Sequence, residues 1–133
     1  MDEAFIKKVQ PNSPEAEQSV IGAMIMDRDA IADVIDIVSA DDFYQKQNGI
    51  LFEAMTELYR EGKPVDLVTL QNKLKKKDVP ESMKSLEFIR DLLEAVPTSA
   101  NAKQYAKIVS EKATLRKLIK VTEDITTECY LGK

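Results

Sequence analysis

The longest stretch without proline or glycine lies between Pro97 and Gly132, and it predicts one long helix over residues 101–130. Its apolar residues recur in steps of three and four, which places them along one face of a helix. That stripe comprises Tyr105, Ile108, Val109, Leu115, Leu118, Ile119, Ile125 and Cys129, with Thr122 and Thr126 in register. Thr98, Ser99 and Asn101 offer side-chain oxygens for its N-cap.

The predicted length of this helix constrains what the rest of the chain can do with it. A helix of about 30 residues is about 45 Å long, which exceeds the width of a domain of this size. Part of the apolar stripe is therefore expected to project beyond the core and to need a partner. The residue pattern leaves open the alternative that the helix folds back along its own bundle.

Before this helix, capping residues and turn residues divide the chain into short helical segments, and no alternation of period two indicates a strand. We therefore predict an all-α fold, with a compact head of five or six short helices followed by one long helix. The predicted boundaries are a flexible N-terminal arm at 1–12, the head at 13–97 and the long helix at 98–133. The start and stop signals are Ser13-Pro14-Glu15, Asp27, Ser39 to Asp42 with Phe43 as an aromatic plug, Gly62 with Pro64, Asp66, Ser82 or Ser85, and Pro97.

The composition argues against an enzyme. The chain has no histidine, which removes His-based acid–base catalysis and His/Cys zinc sites, and its four glycines form no phosphate-binding loop. Carboxylates such as Asp41 and Asp42 are expected on solvated surface rather than in a catalytic pair. We therefore expect no catalytic, cofactor-binding or metal-binding residues.

Charge, cysteine content and the absence of targeting segments indicate which partners and which cellular compartment fit the chain. Residues 1–100 hold 12 Lys and Arg against 19 Asp and Glu, whereas residues 101–133 hold 7 against 4. An acidic head disfavours binding to nucleic-acid phosphates, and Lys75 to Lys77 is interpreted as complementing a helix C-terminus. The single cysteine, Cys129, allows no internal disulfide, and no segment predicts a signal peptide or a membrane helix. We expect a cytoplasmic protein.

Seven blocks of the sequence occur together in a familiar order and spacing. They are Pro11 to Ala23, Asp42 to Tyr44, Ile50 to Met55, Gly62 to Thr69, Val96 to Asn101, Tyr105 to Val109 and Leu115 to Ile119. In this combination the chain resembles the N-terminal domain of bacterial replicative DNA helicases of the DnaB family, over nearly its whole length. Two positions depart from the family pattern: Asn48-Gly49 stands where a histidine is frequent, and Lys84-Ser85 where a Gly-Gly pair is frequent.

The resemblance implies a domain of a hexameric helicase that acts in DNA replication. It implies that the long helix is the first arm of a helical hairpin, followed by a linker and a RecA-like motor domain that this chain lacks. ATP and Mg²⁺, and ATP-dependent 5′–3′ unwinding of DNA, would then belong to the parent protein. This fragment itself would hold no cofactor.

The resemblance also implies partners. Domains of this kind form a collar of dimers, three to a hexamer, and dock the C-terminal domain of primase and the helicase loader, with little direct binding of nucleic acid and no contact with a membrane. The residues assigned to self-association are Ile108, Leu115, Leu118, Ile119 and Ile125, each of which can equally belong to the core. For docking of primase or loader the candidates are Glu15, Phe88, Ile119 and Ile125.

Two other functions are weighed against this one. A freestanding all-α DNA-binding or adaptor domain fits short helices with one projecting helix, but the acidic head and the absence of a basic recognition helix count against it. An enzyme based on carboxylates needs a pocket of perturbed acids, for which the sequence offers no sign.

Overall fold

Helices supply the regular structure of residues 9–94 and 100–133, which are the residues that the computed structural model describes. These two ranges contain six α-helices and no strand, so the predicted all-α class and the single long helix are confirmed. Most of the predicted N-terminal arm, together with Pro97, Thr98 and Ser99, lies outside the described residues. The three domain boundaries stay predictions. The helices are α1 (Pro14–Met26), α2 (Arg28–Ile35), α3 (Lys46–Arg60), α4 (Leu67–Lys75), α5 (Leu86–Glu94) and α6 (Ala102–Tyr130), with short 3-10 turns at Ala40–Asp42 and Glu81–Lys84.

Four of the helices begin at capping residues that the sequence predicts. The side chains of Ser13, Asp27 and Asp66 each accept a backbone N–H of the following turn, at distances between 2.9 and 3.2 Å. Such caps satisfy N–H groups that have no partner within the helix. Ser85 accepts the N–H of Phe88 at 3.1 Å, so Ser85 rather than Ser82 starts α5.

Glycines end two helices in the left-handed conformation. Gly62 has φ +73°, and its N–H donates to the Tyr59 carbonyl at 3.1 Å while the N–H of Lys63 donates to Leu58 at 3.0 Å. This pair of reversed hydrogen bonds is the Schellman motif that commonly closes helices. The same motif closes α6 at Gly132, which has φ +75°. The long helix therefore has a defined C-terminus, while a second hairpin helix stays a prediction.

The core is built around α1, which packs against α2, α3, α5 and α6. Gly22 is buried within it. The predicted aromatic plug is confirmed for Phe43, which is 6% exposed and lies 5.3 Å from the ring of Phe52. Leucines, isoleucines and methionines from five helices fill the centre: Ile21, Met24, Ile31, Leu51, Met55, Leu70, Leu74 and Ile89 are fully buried.

Ion pairs join α3 to α4 on the surface of the head. Lys73 lies 3.2 Å from Glu57 and 2.8 Å from Glu61, and Lys77 lies 2.9 Å from Glu57. Hydrogen bonds from Lys73 and Lys63 lower the pKa of Glu61 to about 2. Because that pKa lies below the ordinary value of 4.5, the contribution of Glu61 to stability is present above pH 4.5 and is lost as the pH falls towards 2.

Candidate interaction surface on the long helix

One face of α6 packs onto the head through small side chains. Ala102, Ala106, Val109 and Ala113 are each no more than 5% exposed and follow one another in steps of four, three and four. Of these, only Val109 belongs to the predicted apolar stripe, but Tyr105 and Ile108 of that stripe are partly buried and also pack against the core. The N-terminal end of the predicted stripe therefore contacts the core alongside the alanines. The side of α6 that faces the core is rich in alanine because the head already supplies the large side chains.

The opposite face of α6 carries large apolar side chains that face solvent. Leu115 is 44% exposed, Leu118 is 56%, Val121 is 53% and Ile125 is 54%. At about 100° per residue, Leu115, Leu118 and Ile125 lie about 130–210° around the helix from the centre of the alanine stripe, and Val121 lies about 90° from it. We call these four residues the apolar face. The alternative that the helix folds back along its own bundle does not hold for its C-terminal end, since every residue from Lys120 to Lys133 is exposed.

The five residues assigned to self-association divide between core and surface. Ile108 is partly buried and packs against the hydrophobic core, and Ile119 is also partly buried. Leu115, Leu118 and Ile125 are exposed and belong to the apolar face. Three of the five are therefore available to a partner, and their role in self-association stays a prediction.

The four residues assigned to docking occupy different parts of the molecule. Glu15 is exposed in the first turn of α1. Phe88 is partly buried against the core, on α5, whose contacts are with α1, α4 and the 81–84 turn. Ile119 and Ile125 lie on α6, where Ile125 stands clear of the head. One partner that touches all four must span the head and the projecting end of α6.

A groove of about 670 Å³ runs along the side of α6, next to the apolar face. It separates the helix from the chain segment that precedes α1, and Ile119 supplies its largest apolar side chain. Val9, from the predicted N-terminal arm, lines this groove. The lining residues are Val9, Gln10, Ile119, Thr122, Glu123, Thr126 and Thr127.

Arg116 ties α6 to the head at the point where the helix leaves it. Its guanidinium donates to the carbonyl of Pro11 at 2.8 Å and to the carbonyl of Asp42 at 2.7 Å. The same group lies 5.3 Å from the centre of the Tyr44 ring, and Lys117 approaches the Asp42 carboxylate at 3.4 Å. A planar guanidinium suits this fork because it donates in two fixed directions. We call this cluster the junction.

Glu17 of α1 holds in place the segment that contains Tyr44, which is part of the junction. Its carboxylate is 2% exposed and accepts the N–H of Tyr44 at 2.8 Å, the N–H of Gln45 at 3.1 Å and the side-chain amide of Asn48 at 3.1 Å. Gln45, the N-cap of α3, makes no cap with its own side chain. Glu17 of α1 therefore caps α3 from another helix, where the positive end of the helix dipole favours a carboxylate.

The two departures from the family pattern fit local contacts. Asn48 is 6% exposed and binds Glu17. At position 49 a Cβ would lie 2.7 Å from the carbonyl oxygen of Ala40, so only glycine lets the 3-10 turn approach α3 this closely. At the second departure, the Lys84 carbonyl accepts the side-chain amide of Gln71 at 2.9 Å, and the next residue caps α5.

Sequence reasoning missed three of these polar groups. Asp42 was expected on solvated surface but is 9% exposed, because its carboxylate accepts the N–H of Ser39 at 3.0 Å within the 3-10 turn. Glu17 had a usable signal, since it lies four residues before Ile21 on the buried face of α1. Arg116 had none, because both of its acceptors are backbone carbonyls far away in the sequence.

Among the residues that the structure describes, no helix combines the length and the apolar character needed to cross a membrane. The long helix is interrupted by charged residues along its whole length.

Comparison with known proteins gives one consistent result. The sequence model of the DnaB-like helicase N terminal domain matches residues 9–111. The replicative DNA helicase DnaB of Geobacillus stearothermophilus is 38% identical over 130 residues, which is 98% of this chain and 29% of that protein. The replicative DNA helicase DnaC of Bacillus subtilis is 35% identical over 98% of this chain and 29% of that protein. This chain thus spans less than a third of the length of these curated relatives.

Solved structures agree with the sequence relatives. The crystal structure of the N-terminal domain of DnaB helicase from Mycobacterium tuberculosis superposes with a TM-score of 0.89 at 36% identity, over 94% of this chain and 87% of that one. The N-terminal domain of DnaB helicase from Helicobacter pylori, whose structure is described with its interactions with primase, shares the fold with a TM-score of 0.75 at 23% identity, over 98% of this chain and 99% of that one. The chain therefore belongs to the family of DnaB-like helicase N-terminal domains.

Proposed function

We propose that this domain self-associates and recruits protein partners for a replicative helicase during DNA replication. The observation that carries the proposal is the apolar face of α6, whose four large side chains are each between 44% and 56% exposed. Large contiguous apolar surface on a soluble domain marks a site of protein–protein contact. The head already has a filled core, so these side chains are in excess of what the fold of one copy needs.

Pairing of two copies through α6 would bury this face. Burying one leucine or isoleucine side chain is worth about 1.5–3 kcal/mol, and an isologous contact uses each residue twice. The residues from Leu115 to Ile125 extend over about 15 Å of helix, which suits side-by-side packing of two helices. We infer a dimer as the unit of self-association, three of which would build the collar of a hexamer.

The same proposal assigns docking of the primase C-terminal domain and of the helicase loader to this domain. Ile119 and the groove beside it offer an apolar recess next to the apolar face. Glu15 and Ile125 are exposed, as contact residues must be, whereas Phe88 is partly buried against the core. Primase docking is described for the Helicobacter pylori relative and is extended here to this chain as part of the proposal.

Catalysis is assigned to the parent protein. We propose a cytoplasmic, ATP-dependent 5′–3′ DNA helicase whose ATP and Mg²⁺ bind in a motor domain, since the curated relatives that this chain matches are replicative helicases more than three times its length. The domain described here contributes assembly and recruitment. Its head carries more acidic than basic residues, so direct nucleic-acid binding is not part of the proposal.

Solution mass is the measurement that tests self-association. In light scattering, the unmodified domain is expected to have the mass of a dimer or a higher oligomer, and Leu118→Asp and Ile125→Asp are expected to lower it to that of a monomer. Val68→Asp is the matched control, because Val68 is an equally exposed apolar residue (59%) on α4, away from α6. A monomeric parent domain, or aspartate variants of unchanged mass, would contradict the proposal.

Primase docking needs a separate titration. Adding the C-terminal domain of the host primase is expected to raise the mass further, and Ile119→Asp is expected to weaken self-association or primase binding while the head stays folded. Unchanged mass and unchanged primase affinity in this variant would remove Ile119 from the docking site.

A further inference from the structure

Residues 118–130 of α6, which we call the arm, leave the head beyond the junction. The alanine stripe ends at Ala113, and among the described residues the last hydrogen bonds from α6 to the head come from Arg116 and Lys117. The polar side-chain contacts of the arm, such as Lys120 to Asp124 at 2.8 Å, stay within the helix. The junction is therefore the last point along α6 at which hydrogen bonds to the head can set the direction of the arm.

Arg116 makes the strongest contacts there. Its two hydrogen bonds, at 2.8 and 2.7 Å, join α6 to two separate segments, the approach to α1 at Pro11 and the 3-10 turn at Asp42. Both segments are held in place independently. The first leads to the Ser13 cap of α1, and the second continues into Tyr44, whose N–H is bound by buried Glu17.

We propose that Arg116 is a positioning residue that sets the direction of the arm, and thereby the angle at which two copies can pair. This inference rests on the proposed self-association through α6. From Arg116 to Cys129 the helix runs about 20 Å, so a tilt of about 15° at the junction moves its end by about 5 Å. A displacement of that size misaligns the apolar faces of two copies, because side-chain packing between helices has a repeat of only one turn.

Distances measured in spin-labelled protein report the direction of the arm. The only cysteine, Cys129, lies exposed near the end of α6, and Glu81→Cys supplies a second site on the head, where the side chain of Glu81 is 89% exposed. Doubly labelled protein is mixed with excess unlabelled protein so that only distances within one copy are recorded. The parent is expected to give one narrow distribution.

Arg116→Ala is expected to broaden this distribution or to shift its mean by several ångströms, and to weaken self-association by at least about tenfold. Arg116→Lys is expected to resemble Arg116→Ala, because a single ammonium group cannot reproduce the two-pronged contact. Lys107→Ala, at an exposed position on the same helix, is the control and should match the parent in both measurements.

The outcomes separate orientation from stability and from assembly. A lower melting temperature with an unchanged distance distribution would show that Arg116 only stabilises the head, and would overturn the inference. A changed distribution with unchanged self-association would overturn the link between arm direction and pairing. If the parent itself does not self-associate, the proposed function fails, while the distances still decide whether Arg116 directs the arm.

Discussion

The N-terminal and C-terminal parts of the long helix differ in the size of their apolar side chains and in whether those side chains are buried. Residues 102–117, the docked segment, turn alanines towards the core, and Ala106 is completely buried. The arm turns leucine and isoleucine towards solvent, and Leu118 and Ile125 are more than half exposed. The size of an apolar residue in this helix therefore does not indicate whether it is buried within its own copy. Small residues allow the helix to lie close to α1, and the large ones remain available for another molecule.

The polar contacts of the two parts differ in the same way. Arg116 in the docked segment binds residues 105 and 74 positions away in the sequence. In the arm, Lys120 pairs with Asp124, whose hydrogen bond raises the pKa of that lysine, and Thr126 donates to the Thr122 carbonyl at 2.9 Å. The docked segment is thus held by tertiary contacts, whereas the arm is held mainly by contacts within the helix.

The largest loss of stability is expected from a change at Glu17, the buried residue that holds the Tyr44 segment contacted by Arg116 of the docked segment. Glu17→Ala leaves the N–H groups of Tyr44 and Gln45 and the amide of Asn48 without their carboxylate acceptor. Because buried and partly buried donors without an acceptor are costly, the free energy of unfolding should fall by about 3 kcal/mol. Urea denaturation followed by far-UV circular dichroism measures this change.

Gln18→Ala is the matched control for that measurement, since Gln18 is the exposed neighbour on α1, and it should change stability by less than about 0.5 kcal/mol. An equally small effect of Glu17→Ala would mean that water replaces the carboxylate, and the junction would then not depend on α1.

A smaller loss of stability is expected from a change within the docked segment itself. Ala106→Leu adds bulk where α6 meets the head at a fully buried position, and overpacking of this kind should cost about 2 kcal/mol. Ala32→Leu, the same change at an exposed position on α2, should be close to neutral. If Ala106→Leu were also neutral in chemical denaturation, the alanine stripe would not be close-packed, and the contrast between the two parts of α6 would weaken.

Local signals in the sequence were sufficient to predict most of the helical framework. Caps at Ser13, Asp27 and Asp66 and the left-handed Gly62 act over a few residues, so their sequence neighbourhood determines them. The length of α6 was equally readable, because neither proline nor glycine interrupts it. These elements depend on backbone geometry rather than on what the helix contacts.

The side of α6 that faces the core could not be read from apolar periodicity. Large side chains dominate such a pattern, and in this helix they fall on both sides: Tyr105, Ile108 and Val109 contact the core, whereas the large residues from Leu115 onward are mostly exposed. The other buried positions of the helix are alanines, which the pattern does not register. The junction was also beyond sequence reasoning, since Arg116 binds backbone carbonyls that any residue type would present. Among the candidate site residues on α6, the sequence did not separate the exposed ones from those that pack against the core, and it gave no sign of the contacts that orient them.

The smallest effect on stability is expected in the arm, and it tests the comparison most sharply. Leu118→Ala and Ile125→Ala together remove two large apolar side chains that are 56% and 54% exposed, and alanine is at least as good a helix former as either residue. Measured at a concentration where the domain is monomeric, the free energy of unfolding should change by less than about 0.5 kcal/mol. On the proposed pairing through α6, the same double variant should lose self-association in sedimentation equilibrium. A loss of more than about 1 kcal/mol in the monomer would instead show that these side chains are buried within their own copy in solution, and the arm would then have to be regarded as a second docked segment.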